Sequence, residues 1–323
     1  MTPGLTPLST SGPPSARFVD SPETGGYVPP GVQALEQSLI DLIRRTSCDL
    51  PQDVRNALLS ARSCESNDSL AASVFETIHR NVDLAWSKTR PICQDTGSIL
   101  FYITAPASFD RAAFKRLAGK CVTAATAKGW LRPNSVDPIT GRNDGTNVGP
   151  GTPTFYFEDG SEPVVTIKLV LKGGGCENVG AQYSLPDARL GADRNLDGCR
   201  KAVLDAVFQA QGKGCSPGVI GICIGGDRAT GYEHSKTQFL RRLDDTNPDP
   251  TLRAFEEDIL RSANELGIGP MGFGGKTTLL AAKACALNRL PASYFVTVSY
   301  MCWAFRRQGI VLDQTGHIAH WLY

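Results

Sequence analysis

The chain has 323 residues, room for one large domain or two modest ones with a real core; 41% hydrophobic and 20% charged residues are values of a soluble globular protein. A formal charge of +1 provides no basic field for nucleic acid or an anionic membrane, and no apolar run reaches the roughly 18 to 20 residues of a membrane helix. No basic segment runs into an apolar stretch at the start, so no secretory signal is read and a cytoplasmic location is expected. Ten cysteines without a CxxC pair argue against zinc ribbons, and a reducing compartment makes them a poor disulfide scaffold.

Residues 1–31 are rich in Thr, Ser, Pro and Gly with few large apolar side chains. Such a segment cannot offset its ordering entropy by burial, and a disordered tail is expected, followed by one domain over 32–323. Val32, Leu35, Leu39, Ile40 and Ile43 share one face of a first helix. Pro51 suits the first turn of a second, carrying Val54, Leu58 and Leu59. A third runs from Ser69 toward Trp86 with Val74, Ile78 and Val82 at four-residue steps. Strands are expected over 99–105, 154–158 and 163–171, where β-branched and aromatic residues stand between Gly and Pro. A helix over 196–211 is stopped by Gly212 and Gly214. A strand over 219–224, a helix over 252–266 ending at Gly267, and a strand over 294–300 complete the reading. The fold class is α/β, mixed α+β: a helical N-terminal part followed by mixed sheets flanked by helices.

Three cysteines stand at element edges. Cys93 lies in PICQDTG just before a strand, Cys215 in GKGCSPG between a helix and a strand, and Cys302 directly after the last strand in YMCWAFRR. Loops at strand ends are where a rigid frame presents binding groups. Thiolates suit iron–sulfur clusters, and glycine-rich backbone can hydrogen-bond the sulfurs. Spacing alone leaves open the commoner fate of three buried thiols. The glycines after Lys172 can form an anion nest or simply a tight turn. The 267–278 stretch resembles a nucleotide loop but fails at a required position. A Walker A motif ending at Lys276 needs a glycine where Pro270 stands. A glycine loop packed near the cysteines is the better reading. His79, His234, His317 and His320 form no HxxxH or HExxH pattern, and the last two are expected to face solvent.

CQDTG at 93–97, LRPNSVDPITGRNDGTN at 131–147, KGGGCEN at 172–178, GKGCSPGVIG at 212–221, GIGPMGFGGKTTLL at 267–280 and the Cys302 strand occur in this order. Together, over about 85–307, they resemble class I fumarate hydratases and the related L-tartrate dehydratase alpha subunits. The resemblance implies a [4Fe–4S] cluster on Cys93, Cys215 and Cys302, with one iron left open as a Lewis acid for a substrate hydroxyl. It assigns Gln94 and Asp95 a catalytic and substrate-contacting role, Arg132 a substrate carboxylate, and Gly173 a substrate contact. The implied reaction is reversible hydration of fumarate to malate, with L-tartrate dehydration as the nearest competitor. A non-catalytic iron–sulfur sensor or binding protein is the reading from another class. Single-chain relatives continue into a further domain that supplies the proposed base. A separate beta subunit, and so a hetero-oligomer, is therefore expected here. Two positions depart from the family pattern. Cys176 stands where the glycine run often continues with Ser, and 288–291 lacks a His that some relatives carry.

Overall fold

The computed structural model describes residues 31–162 and 164–323. Apart from Gly31, the expected tail lies outside the described residues, as does Pro163 at the start of one expected strand.

Three helices come first, α1 (Val32–Cys48), α2 (Gln52–Cys64) and α3 (Leu70–Lys88). Leu35, Leu39 and Ile43 of α1 are buried as their spacing requires. Val32 instead is exposed, because helix side chains lean toward the N-terminus and the first one leans past the helix end. Leu59 also faces solvent, one helical step around from buried Leu58. Pro51 does not sit inside α2; its extended backbone caps the helix that starts one residue later. Ser69 caps α3 by accepting the Ala72 amide at 3.1 Å.

The remaining elements build two mixed sheets. β1 (Ser98–Ala105), β2 (Thr154–Asp159), β3 (Val165–Lys172), β8 (Arg306–Leu312) and β9 (Ile318–Trp321) form the first, ordered β2-β1-β3-β8-β9, with the helix α4 (Arg111–Ala127) following β1. Within it only β1 and β2 run parallel, with α4 crossing between them. The second sheet, β4-β7-β5-β6, contains β4 (Ala181–Ser184), β5 (Gly218–Gly225), β6 (Leu279–Leu287) and β7 (Phe295–Met301). Here β5 and β6 are parallel and the other pairs antiparallel. Around it lie α5 (Gly174–Asn178), α6 (Leu196–Ala210), α7 (Arg228–Thr237) and α8 (Pro250–Glu265).

Strand alternation divides the core among three layers. Ile99, Phe101 and Ile103 of β1 pack with α1 and α4, while Leu100 and Tyr102 point the other way. Ile220, Ile222 and Ile224 of β5 pack with α6 and α8, while Val219 faces the opposite side. Those opposite faces meet α2 and α3 in a shared middle core that includes Cys176, Cys302 and Phe305. A sheet buried on both faces explains the near-continuous apolar runs of β1 and β5. The chain passes from the second sheet to the first at residues 302–305, between β7 and β8, so Cys302 stands at the seam.

Candidate active site

Cys93 sits on the segment joining α3 to β1. The segment is moored on both sides: the Ile92 amide donates to Ser47 O (3.0 Å) and Asn81 Nδ2 donates to Ile92 O (2.9 Å). Beyond it, Gln94 is exposed and Asp95 half-buried. Asp95 Oδ2 accepts the Gly174 amide at 2.7 Å, and its backbone carbonyl accepts from Arg306 Nη1 at 2.7 Å. One amide of the glycine run, that of Gly174, thus holds the protein's own Asp95 carboxylate. Gly97 has φ +81°, and a Cβ there would stand 2.3 Å from Lys172 O, so two backbones touch where the Cys93 and Gly173 loops cross.

The 131–147 motif braces this loop. Buried Thr96 accepts the Arg132 amide at 3.1 Å, and Asn147 Nδ2 donates to Arg132 O at 2.7 Å. The backbone of Arg132 is therefore fixed beside the Cys93 loop while its guanidinium is exposed. Gly173 leaves Asp95 its place; a Cβ there would stand 3.1 Å from Asp95 Oδ2. Lys172 differs from its neighbours. It is fully enclosed, and its ammonium pairs with Glu177 Oε2 at 3.1 Å, while Lys236 takes the other Glu177 oxygen at 2.7 Å. Burial draws the Lys172 ammonium below its ordinary range, against the pull of Glu177.

Cys215 occupies a left-handed conformation (φ 55°, ψ 60°) between the turn 211–214 and β5. The turn can come this close because Gly214 and Gly218 lie flat against Tyr300; a Cβ would fall 2.5 Å and 2.3 Å from its ring. The Trp303 amide donates to Cys215 O at 3.2 Å, tying this loop to that of Cys302. The 267–278 glycine loop packs here, as expected. The Met271 amide donates to Ser216 O (2.7 Å) and Ser216 Oγ donates to Gly269 O (2.6 Å). Glu65, which follows the last residue of α2, accepts the Lys276 and Thr277 amides at 2.7 and 3.2 Å and holds the loop's far end.

The three loops bring the thiols together. Burial first, then the proximity of Cys302, Cys93 and Asp95, pushes the Cys215 thiol up. Cys302, hydrogen-bonded to Cys176 and enclosed, is held well above the usual thiol range. Thiols raised in this way, Cys215 and Cys302, resist ionising unless positive charge enters beside them. Among the described residues, no three His, Cys, Asp or Glu side chains meet closely enough for a single metal ion.

Two residues at this site carried no role from sequence. Cys176 adds a fourth thiol beside Cys302. Arg306 reaches back to Asp95; its signal was a pair of arginines inside an otherwise apolar C-terminal stretch. The stretch 288–291 lies elsewhere. β5 starts beside Cys215 and β6 runs parallel to it, so residues after Leu287 emerge at the opposite end of the sheet, an eight-residue strand away. Its lack of histidine leaves no gap among the loops around Cys93, Cys215 and Cys302.

The fumarate hydratase (Fumerase) family profile matches residues 36–311. The chain belongs to that family. It is 49% identical over 296 residues, 90% of its own length, to a Geobacillus stearothermophilus protein provisionally named fumarate hydratase class I. It spans 58% of the length of that relative. It is also 31% identical over 274 residues to a Methanocaldococcus jannaschii protein provisionally named L(+)-tartrate dehydratase subunit alpha, covering 83% of this chain and 94% of the relative. With the L(+)-tartrate dehydratase subunit alpha of Escherichia coli K12 it shares 27% identity over 282 residues, 85% of this chain and 90% of that subunit. Among the described residues no helix is long and apolar enough to cross a membrane.

Proposed function

We propose that this chain is the cluster-binding, alpha-type component of a hydro-lyase that interconverts fumarate and malate, with Cys93, Cys215 and Cys302 holding a [4Fe–4S] cluster. The observation that carries the reading is the joining of the three cysteine loops: the Trp303 amide beside Cys302 donates to Cys215 O at 3.2 Å, and Arg306, four residues after Cys302, donates to the Asp95 carbonyl two residues after Cys93 at 2.7 Å. The site suits the group in its donor set: three thiols, the ligand type of iron–sulfur clusters, come from loops whose backbones are tied to one another and lined by glycine. Bound there with three protein ligands, the cluster supplies an open iron as Lewis acid for the hydroxyl of a 2-hydroxy acid. Gln94 and Asp95 adjoin the first ligand and contact the reacting end of the substrate. Asp95 is pre-oriented by the Gly174 amide and by Arg306, so no rearrangement is needed when substrate enters. Arg132 presents an exposed guanidinium from a fixed backbone and takes a substrate carboxylate by a two-point hydrogen bond. Gly173 keeps the wall beside Asp95 free of side-chain atoms.

The identity of 49% to a protein named fumarate hydratase, against 31% and 27% to tartrate dehydratase alpha subunits, supports fumarate over L-tartrate. The alpha-subunit relatives support a separate beta subunit that supplies the base for the carbon-bound proton. The test is anaerobic co-purification with that partner, iron and sulfide analysis, and parallel fumarate-hydration and L-tartrate assays. Four irons per chain, lost in Cys93→Ala, and fumarate hydration that needs the partner are expected. Turnover of L-tartrate alone would move the chain to the tartrate reading, and an iron-free chain that resists reconstitution would end both.

A further inference from the structure

Arg306 and Arg307 are consecutive and both buried, Arg306 only 1% exposed, yet they are compensated differently. Arg307 pairs with the buried carboxylate of Asp53 and stacks on the rings of Phe305 and Tyr323. Among the described residues Arg306 has no salt-bridge partner. Nη1 donates to a neutral carbonyl, that of Asp95, and Nε is enclosed without a hydrogen-bond partner. A guanidinium does not shed its proton, so its buried charge calls for an anion nearby. The space around it indicates which one. Nη2 lies 3.7 Å from where a Gly173 Cβ would stand, a point that is also 3.1 Å from Asp95 Oδ2. Its strand explains its reach. Arg306 opens β8 opposite Leu171 of β3, four residues after Cys302, so it stands where the Cys93, Gly173 and Cys302 loops adjoin.

We propose that Arg306 is the resident counter-cation and positioning residue of the cluster cradle, balancing its thiolate charge and clamping the Cys93–Asp95 loop against Gly173. The inference rests on the cluster reading above. Three thiolates outweigh the positive charge of a cubane core, so the loaded cradle is anionic and answers a cation that has no salt-bridge partner among the described residues. The same guanidinium, by holding Asp95 O, keeps Asp95 Oδ2 on the Gly174 amide. Lys172 is placed differently: its ammonium is turned to Glu177, which Lys236 also holds, and not to the Asp95 carbonyl.

The test compares the full chain with its partner subunit, as wild type, Arg306→Gln and Arg306→Lys, after anaerobic reconstitution with ferrous iron and sulfide. Circular dichroism of the apo chains, release of iron to a chelator and the reduction potential of the cluster are measured. Arg306→Gln should fold as an apo chain and release iron at least about tenfold faster, from the loss of a charged hydrogen bond. Its remaining cluster should have a lower potential, because a nearby cation favours the added electron. Arg306→Lys should keep the potential near that of wild type but still release iron faster, since an ammonium lacks the fork that holds Asp95. Unchanged release and potential in Arg306→Gln would overturn the proposal. So would both variants failing to fold without iron, which would make Arg306 a requirement of the core alone. A wild-type chain that takes up no iron or sulfide would instead sink the cluster reading.

Discussion

Arg132 shows how one residue can be held firmly and still be available. Its amide and carbonyl are tied to Thr96 and Asn147, and its guanidinium is exposed. Replacing it with Met removes the charged, two-point contact proposed for it but nothing the fold depends on. Such contacts contribute about 1.5–3 kcal/mol, so KM for fumarate should rise about 10- to 100-fold with iron content unchanged. Steady-state kinetics beside iron analysis checks this; an unchanged KM would place the substrate carboxylate elsewhere. Lys172 marks the limit of reading a residue from its motif. It stands in the same glycine-rich motif as Gly173, but its ammonium is turned inward to Glu177. Direction of a side chain at the end of β3 follows from pairing with β1 and β8, which the motif does not record.

At the scale of elements, the cradle depends on loops that approach side chains and one another without Cβ atoms between them. Gly218 opens β5 against the Tyr300 ring, where a methyl would stand 2.3 Å away. Gly218→Ala must displace a buried aromatic ring, and a cost of about 1–3 kcal/mol is expected in urea unfolding. Gly149→Ala, with nothing within 4 Å, is the control and should stay within about 0.5 kcal/mol. Equal effects at the two positions would show that the Tyr300 contact is soft. Elements with a clear period were legible: α1, α3, α6, α8, β1, β3, β5 and β7 all form where apolar spacing and glycine stops placed them. Those not anticipated had misleading local composition. β6 reads Leu-Leu-Ala-Ala-Lys-Ala-Cys-Ala-Leu, a good helix by propensity, and becomes a strand because it pairs with β5. β8 begins with two arginines and a glutamine, all buried, so it shows no apolar signal at its start. α4 was also not anticipated, although Asp110 caps it by accepting the Ala112 and Ala113 amides.

For the molecule as a whole, the seam between the two sheets is pinned by a buried ion pair. Asp53 of α2 accepts from Arg307 of β8 and from the Leu243 amide at 2.8 Å, joining three distant parts of the chain. Truncating one partner of a buried pair strands the other charge, so Asp53→Ala should cost about 3–5 kcal/mol in urea unfolding. The double variant Asp53→Ala/Arg307→Met, which strands no charge, should lose less than the single one. A single variant within about 1 kcal/mol of wild type would mean that the Phe305 and Tyr323 rings stabilise Arg307 unaided.

The sequence by itself determined the class of the fold and the order of helices and strands around the motifs, and through its resemblance to the family it marked Cys93, Cys215 and Cys302 with Gln94, Asp95, Arg132 and Gly173 as candidates. These are encoded locally, in apolar period, glycine stops and short motifs, and each can be read without knowing what lies opposite. Tertiary structure decided which of these motifs touch. It brought the 131–147 loop to Thr96, the 267–278 loop to Ser216, and Arg306 to Asp95, and it carried 288–291 to the far end of the second sheet. Those contacts join residues far apart in the chain through sheet pairing and burial, and the cost of leaving a buried charge or amide unmatched selects the partner only once the fold has closed.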